Sequence, residues 1–243
     1  MEQHLVIITG HSSGLGEALL HLALRDQASV IGLARRKNSA THRQLQQIQV
    51  DLESPELNLE QLFLPLEKFL NGPWKTVSLI NNAGTMQPVG LIGLLDSERI
   101  ASSLYLTLIR PLQLTNWLVK RFPETSLRLV QISSGASKKA YAGWAAYCTS
   151  KAGLRMQAQV FAAEAADSGQ DRRVVIYEPG VIDTPMQADL RAVAPDQFPS
   201  LERFRDLHAK GQLVSAEASA QELWGHLKRS DLPPLLETRF GSI

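Results

Sequence analysis

Short aliphatic segments alternate with longer helical patterns along the chain, and this alternation limits the fold more than any other feature. The segments are nearly all apolar, as expected for strands that helices cover on both faces. Such an alternation is typical of an α/β protein with a parallel sheet. We therefore predict a single doubly wound parallel sheet of the Rossmann type, with strands at 5–9, 29–34, 48–50, 77–81, 127–132 and 174–177.

Helical patterns fill the intervals, and one of them contains a proline. We predict helices at 15–26, 55–70, 97–121 and 144–168, and two more between 185 and 228. A kink is expected at Arg110-Pro111, because proline has no N–H to donate within a helix. The segment 185–214 reads as helix-loop-helix outside the sheet, and we predict that it is a small helical substrate lid on one domain spanning 1–243.

Composition narrows the class of partner. The 243 residues include 25 basic and 24 acidic side chains, a net charge of +1 that gives no global attraction to nucleic acid or an anionic membrane. A small molecule is the expected partner. Cys148 is the only cysteine, no signal peptide is evident and no apolar run could span a bilayer, so a cytoplasmic location is expected. The six histidines are scattered, and no metal site is predicted.

A glycine-rich turn joins the first predicted strand to the first predicted helix. Glycines let the backbone approach a pyrophosphate, and the helix N-terminus offers free N–H groups and a favourable dipole. The spacing is G-x-x-x-G-x-G, and no lysine follows as a P-loop requires. A purely structural turn is the alternative to a nucleotide site. The predicted nucleotide-binding residues are Gly10, Ser12, Ser13, Gly14, Leu15 and Gly16.

The end of the second strand indicates which dinucleotide is bound. An acidic residue there would hold the ribose 2′-hydroxyl of NAD, whereas arginine accommodates the 2′-phosphate of NADP. Arg35 and Arg36 follow this strand, and no acidic residue lies between Ser29 and Asp51. We predict NADP(H) as the cofactor. The alternative is a solvated basic turn with no ligand.

A tyrosine and a lysine form a candidate catalytic pair. Tyr147 and Lys151 are four residues apart, so on a helix they share one face, and Ser134 lies thirteen residues before Tyr147. Pairs of this spacing also arise on solvated surfaces. The glycine turn upstream gives this pair its weight, because one chain then carries both a proton donor and a nucleotide cradle.

Together these motifs resemble the short-chain dehydrogenase/reductase family over nearly the whole chain. The landmarks occur in the family's order: the turn from Thr9 to Gly16, Asp51-Leu52, Asn81-Asn82-Ala83-Gly84, Ser134 with Tyr147 and Lys151, and Pro179-Gly180-Val181-Ile182-Asp183-Thr184. The resemblance implies that Asp51 binds the adenine amine and Leu52 flanks it. It also places Asn82, Ala83 and Gly84 at the cofactor ribose and Pro179, Gly180, Val181 and Thr184 at the nicotinamide.

The side chains then suggest a mechanism. A carbonyl that accepts hydride develops negative charge on oxygen, and Tyr147 is the expected proton donor. Lys151 is expected to lower the pKa of Tyr147, ordinarily about 10, and could also contact the ribose. Ser134 would orient the carbonyl. Thr107 stands where many relatives have an asparagine that links the lysine to solvent through a water, so it is the implied relay residue.

Three further segments resemble the branch of the family that contains sepiapterin reductases and bacterial benzil reductases. They are 183–187, 209–215 and 219–223. The resemblance implies an NADPH-dependent reductase of aromatic or vicinal dicarbonyl compounds. Arg239 falls about where sepiapterin reductases hold the pterin with an aspartate, which argues against a pterin unless Glu237 takes that place.

The sequence also suggests which residues line the substrate pocket and how the chain assembles. The predicted pocket-lining residues are Met86, Gln87, Tyr141, Trp144 and Met186, with simple packing as the alternative for each. Family members generally pair through the helices predicted here at 97–121 and 144–168, which implies a homodimer or homotetramer. Two other functions stay open: an NADP-dependent alcohol dehydrogenase working in the reverse direction, and a nucleotide-sensing regulator without catalysis.

Overall fold

A computed structural model describes residues 3–242 and contains one seven-stranded parallel sheet. The spatial order is β3-β2-β1-β4-β5-β6-β7, so the winding direction reverses between β1 and β4. Ligands of open α/β sheets bind at the carboxyl ends of the strands beside such a reversal. The predicted doubly wound sheet is confirmed, and its strands are β1 (His4–Thr9), β2 (Ser29–Ala34), β3 (Leu45–Gln49), β4 (Thr76–Asn81), β5 (Ser126–Ile132), β6 (Arg172–Glu178) and β7 (Leu235–Arg239).

Two strands differ from the prediction. The short predicted strand at 48–50 is wrong in its bounds, because β3 contains three glutamines that mask its extended pattern. β7 was not predicted at all. It lies at the edge of the sheet beyond β6, and its half-exposed sequence Leu-Leu-Glu-Thr-Arg has little of the apolar signal of a buried strand.

Nine α-helices are present among the described residues. They are α1 (Gly14–Arg25), α2 (Leu59–Phe63), α3 (Glu67–Leu70), α4 (Ser97–Leu104), α5 (Arg110–Arg121), α6 (Ala145–Ser168), α7 (Pro185–Arg191), α8 (Leu201–Ala209) and α9 (Ala216–Leu227). The helix predicted at 55–70 is shorter and broken, since Asn58 caps its start and Pro65 falls in a 3₁₀ turn between α2 and α3.

The interruption predicted at Pro111 takes the form of a π-helical turn. Residues Tyr105–Ile109 connect α4 to α5, and the N–H of Arg110 bonds to the carbonyl of Tyr105, five residues back. Pro111 cannot donate to the carbonyl of Thr107, four residues back, so the regular α-helical ladder fails at this point. The turn therefore places Thr107 in irregular backbone beside the carboxyl ends of the strands.

The core has a layer on each face of the sheet. α1 and α9 cover one face, and the helices around α5 and α6 cover the other. Strand residues such as Ile7, Ile8 and Leu79 are fully or almost fully buried, each worth about 1.5–3 kcal/mol of burial free energy. Among residues 3–242, no helix combines the length and apolar composition needed to cross a membrane.

The segment 185–214 lies outside the sheet, as predicted, and contains α7 and α8. It has a small apolar cluster of its own, formed by Leu190, Phe198, Leu201 and Phe204 around Trp144. Its far end is fixed to the β6 loop, because Val214 donates an N–H to the carbonyl of Val181 and accepts one from Asp183 at 2.9 and 3.0 Å. The segment is therefore a packed flap whose two ends lie together.

Candidate active site

One cavity of about 500 Å³ runs along the carboxyl ends of the strands. Its wall extends from Arg35 and Arg36 after β2, past the glycine turn and β4, to Tyr147 and the flap. It continues to Arg239 at the end of β7. The cavity therefore brings the predicted nucleotide cradle and the predicted catalytic pair into one continuous space.

The glycine turn has a backbone that side chains would disrupt. Gly10 and Gly14 have φ angles of +69° and +56°, which L-residues rarely adopt. A Cβ atom on Gly16 would overlap the carbonyl oxygen of Gly10. The turn is thus compact, with its N–H groups at the start of α1, and fits a pyrophosphate.

Asn82 and Thr9 hold this turn against the end of β4. The Asn82 amide donates to the carbonyls of Thr9 and Gly10 at 3.0 and 3.1 Å. The Thr9 hydroxyl accepts the N–H groups of Asn82 and Ala83, both at 2.9 Å. Asn82, Ala83 and Gly84, the residues expected at the cofactor ribose, line the cavity, and the side chain of Asn82 also has this structural task.

The basic residues after β2 face a pair of acidic ones after β3. The Arg35 guanidinium lies 3.7 Å from the Glu53 carboxylate, and its side chain is 70% exposed. The Asp51 carboxylate accepts the N–H of Glu53 at 3.0 Å, and Leu52 is buried below them. Two exposed guanidinium groups at one end of the cavity suit a phosphate. Glu53 was not predicted as part of this region.

Ser134, Tyr147 and Lys151 meet at the other part of the cavity. Ser134 follows β5, and α6 presents Tyr147 and Lys151 one turn apart. The Lys151 ammonium donates to the carbonyl of Ile132 at 2.7 Å and lies 5.8 Å from the centre of the Tyr147 ring. The Ser134 hydroxyl accepts the N–H of Ala136 at 3.2 Å. β5 and α6 therefore assemble the three groups.

The ionisation of the pair differs from the prediction. Burial raises the pKa of Tyr147, and a hydrogen bond with Ser134 acts in the opposite direction. Burial also lowers the pKa of Lys151 to about 8. The predicted lowering of the Tyr147 pKa by Lys151 is wrong for this structure, because desolvation of the phenol outweighs the other influences on it. Tyr147 consequently keeps its proton near neutral pH.

Thr107 lies beside this pair, with its hydroxyl turned to its own helix. The hydroxyl donates to the carbonyl of Ser103 at 2.5 Å, and the side chain is buried. A Cβ atom on Gly84 would lie 3.3 Å from the methyl of Thr107 and 3.8 Å from the Lys151 ammonium. Gly84 therefore lies between Thr107 and Lys151. The hydroxyl proton of Thr107 is already bonded to the carbonyl of Ser103.

The loop after β6 crosses back towards the glycine turn. Pro179, Gly180, Val181 and Thr184 all line the cavity, and Gly180 has a φ of +79°. The Thr184 hydroxyl accepts the N–H of Gln187 and so caps α7. A Cβ on Gly14 would come within 3.0 Å of the Thr184 methyl. The loop and the turn thus form opposite walls of a narrow passage.

Aromatic side chains surround the space next to Tyr147. Trp144 is 3% exposed, and its ring centre lies 5.0 Å from that of Tyr147 and 4.5 Å from that of Phe198. Of the five predicted pocket residues, Met86, Tyr141, Trp144 and Met186 line the cavity. Gln87 does not, since its side chain accepts the N–H of Val89 within its own loop.

Charged side chains at the ends of β6 and β7 and on α8 also reach the cavity, and of these only Arg239 was expected near the substrate from the sequence. Arg239 lines the cavity, as do Glu178 and Arg203. Glu237 does not, so the expectation that it could replace a substrate-binding aspartate is wrong. It instead binds Arg155 of α6 at 2.8 and 2.9 Å and Lys138 at 2.6 Å. These two cations, Arg155 above all, lower the pKa of Glu237 to about 2.

Within residues 3–242, no three His, Cys, Asp or Glu side chains lie together in a way that could hold a metal ion. His11, the histidine of the glycine turn, is fully buried and contacts Gln47. The polar side chains that line the cavity carry hydroxyl, ammonium, guanidinium, amide and carboxylate groups, which suit an organic ligand.

Comparison with known proteins agrees with this geometry. Residues 4–194 match the family model described as short chain dehydrogenase. The chain is 34% identical to a benzil reductase ((S)-benzoin forming) of Bacillus cereus, over 94% of this chain and 95% of that protein. It is also 34% identical to the sepiapterin reductase of Bos taurus, over 90% and 87%. The crystal structure of the KRED1-Pglu enzyme superposes with a TM-score of 0.81 at 26% identity, covering 97% and 100% of the two chains. The chain therefore belongs to the short-chain dehydrogenase family, and is an oxidoreductase of the class that acts on CH–OH or C=O groups.

Proposed function

We propose that this protein is an NADPH-dependent carbonyl reductase whose substrate is a ketone or a vicinal dicarbonyl compound. The observation that carries the proposal is the convergence of Ser134, Tyr147 and Lys151 beside an aromatic pocket, in the same cavity as Arg35 and Arg36. The similarity to benzil reductases and sepiapterin reductases supports a carbonyl as the reacting group.

The residues that would hold the cofactor follow the length of the cavity. The turn from Gly10 to Gly16 would bind the pyrophosphate and Asp51 with Leu52 the adenine. Arg35 and Arg36 would bind the 2′-phosphate, because a guanidinium pairs well with phosphate oxygens. Residues 82–84 and 179–184 would border the nicotinamide riboside. When bound, the nicotinamide supplies the hydride for the carbonyl carbon.

Each catalytic side chain has a separate task. The Ser134 hydroxyl donates a hydrogen bond to the substrate oxygen and orients the carbonyl. Tyr147 gives its proton to that oxygen as negative charge develops, and its raised pKa keeps the proton available at neutral pH. The Lys151 ammonium then stabilises the phenolate that remains. The phenolate would then regain a proton from the Lys151 ammonium, and Thr107 would pass a proton to the resulting amine from the side of Gly84.

The pocket favours an apolar, aromatic substrate. Trp144 and Tyr141 form an edge-to-face pair with ring centres 5.4 Å apart, and Met86 and Met186 line the same cavity. Arg239 lies in the cavity wall about where sepiapterin reductases have the aspartate that binds a pterin. Its presence argues against a pterin substrate. The flap at 185–214 would close over the substrate as a lid.

The test is carbonyl-dependent oxidation of NADPH by the purified protein, followed by the cofactor absorbance. Benzil and other aromatic diketones are the first substrates, and sepiapterin is the comparison. Consumption of NADPH with benzil, slower with NADH and with sepiapterin, supports the proposal. NADPH binding without turnover of any carbonyl would instead support the nucleotide-sensing alternative, and activity with secondary alcohols alone would support a dehydrogenase.

We also propose that the protein is a cytoplasmic homodimer or homotetramer. α5 and α6 expose large apolar side chains, with Leu112, Met156 and Val160 at 53, 58 and 49% exposure. Apolar side chains that neighbour one another on a helical surface are a common feature of interfaces. Light scattering on the eluted protein measures the assembly, and a monomer at all concentrations would contradict this part of the proposal.

A further inference from the structure

The loop that carries the basic residues is held mainly through its backbone. Arg35 and Arg36 extend into the cavity from the connection between β2 and β3. The only ion pair of Arg35 among the described residues is the one with Glu53 at 3.7 Å, and an exposed pair of this length fixes little. The position of the two guanidinium groups therefore depends on the backbone that follows them.

Gln47 of β3 fixes that backbone. Its side-chain oxygen accepts the N–H of Asn38 at 2.7 Å, and its nitrogen donates to the carbonyls of Asn38 and Ala40, both at 3.1 Å. The oxygen also lies 2.8 Å from Nε2 of His11. An amide has two donors and two acceptor positions, so these four bonds use all of them.

His11 connects the same glutamine to the glycine turn. Gln47 and Gly32 are partners in the pairing of β2 with β3, and a Cβ on Gly32 would lie only 2.5 Å from the His11 ring. The absence of a side chain at Gly32 thus lets the ring cross β2 and reach β3. Because the Gln47 oxygen can only accept, Nε2 of His11 carries the proton in this bond.

A second link ties the loop to α1. The Asn38 amide donates to the Glu17 carboxylate at 2.5 Å, and its oxygen accepts the N–H of Ala40 at 2.7 Å. The loop after β2 is therefore connected to both the turn and the helix that would hold the pyrophosphate. Gln47 is the member of this network that contacts both sides.

We propose that Gln47 is a positioning residue for cofactor choice, which sets the loop of Arg35 and Arg36 at a fixed distance from the pyrophosphate turn through His11. The inference rests on the proposed use of NADP(H). It predicts that discrimination between NADPH and NADH depends on Gln47, although its side chain lies below the loop. NADH has no 2′-phosphate, so a displaced loop costs it little binding free energy.

The test compares the dissociation constants of NADPH and NADH for three proteins by fluorescence titration. Gln47→Leu keeps the volume and removes all four hydrogen bonds. Gln46→Leu is the matched control, because Gln46 is adjacent on β3 and points to the other face of the sheet. We expect Gln47→Leu to weaken NADPH about ten-fold or more, equivalent to about 1.4 kcal/mol, with NADH changed less than about two-fold. Gln46→Leu should match the wild type.

If Gln47→Leu weakens NADPH and NADH by the same factor, the ratio of their dissociation constants is unchanged. Gln47 would then only maintain the fold, and the inference would be overturned. Gln47→Glu is the second variant in case the leucine protein does not fold. It keeps both acceptor contacts but sets a carboxylate against two carbonyl oxygens, so it should also reduce the NADPH preference. The wild type is measured first: if it binds NADH as tightly as NADPH, the proposed cofactor choice fails and this inference with it. If it prefers NADPH and both variants keep that preference, the inference alone fails.

Discussion

The ammonium of Lys151 lies 5.8 Å from the centre of the Tyr147 ring, and on α6 the lysine is buried while the tyrosine is half-buried in the cavity wall. Burial favours the neutral form of both groups, so it shifts their pKa values in opposite directions. It favours the neutral phenol of Tyr147 and disfavours the charged amine of Lys151. The resting site therefore holds a proton donor, together with a cation whose charge is sensitive to mildly alkaline pH.

The charge on Lys151 should make catalysis depend on pH. The pKa of Lys151 is lowered to about 8, so its charge is present below that pH and lost above it. We expect kcat/KM for NADPH to fall as the pH rises through about 8, because the neutral amine cannot stabilise the developing phenolate. A pH–rate profile checks this. Constant kcat/KM across pH 7 to about 9.5 would show that the charge of Lys151 is not needed.

Glu237→Gln tests the ion pairs under the site. The Glu237 carboxylate joins α6, through Arg155, to the segment after Ser134, through Lys138. Its folded pKa is about 2, below its ordinary value of 4.5, so its stabilisation is present above pH 4.5 and is lost as the pH falls towards 2. We expect a loss of about 1 kcal/mol at pH 7, after discounting for partial exposure.

That loss corresponds to a melting temperature about 2–4 °C lower at pH 7, with a smaller difference from the wild type in acid. Asp231→Asn is the control, since Asp231 forms a surface pair with Arg229 and should leave the melting curve unchanged. Equal melting temperatures for Glu237→Gln and the wild type at pH 7 would contradict this account.

Gly16→Ala should damage the nucleotide turn. The added Cβ would overlap the carbonyl oxygen of Gly10, so the turn must shift. We expect a loss of about 1–3 kcal/mol in stability and at least about ten-fold weaker NADPH binding. Gly225→Ala is the matched control: it lies in α9 with open space around it, and should stabilise the protein by about 0.5–1 kcal/mol. Normal NADPH affinity in Gly16→Ala would refute the assignment of the turn.

Thr107→Asn tests the proposed relay. The Thr107 hydroxyl is engaged with the carbonyl of Ser103, while a longer amide could extend past Gly84 towards Lys151. We expect kcat to rise in this variant and to fall in Thr107→Val, which retains the shape without the hydroxyl. Steady-state rates at saturating NADPH provide the measurement. If both variants turn over at the wild-type rate, protons reach Lys151 by another route.

The sheet and most of the cavity were predictable because their signals are local. Each buried strand is an apolar run, and the groups at its carboxyl end follow within a few residues, as Gly10 follows β1 and Ser134 follows β5. Parallel pairing then brings these groups to one edge of the sheet. That rule explains why residues as distant in sequence as Arg35 and Ser134 line one cavity.

What the sequence did not reveal depends on tertiary contacts. β7 is an exposed edge strand with a polar pattern, so the strand was not evident, although the family resemblance had placed Arg239 near the substrate. The raised pKa of Tyr147 depends on burial, whereas spacing alone showed only its nearness to a cation. The bonds of Gln47 join β3 both to the preceding loop and to His11, 36 residues away, and a glutamine in a strand has no distinctive local signal.

The central claim is that Tyr147 donates the proton to a substrate carbonyl. The decisive measurement is kcat for benzil reduction by Tyr147→Phe, together with its dissociation constant for NADPH. The account predicts that kcat falls by about 10² to 10⁴, while NADPH binding stays within about three-fold of the wild type, because only the hydroxyl is removed. A kcat close to that of the wild type, with the cofactor bound normally, would contradict it.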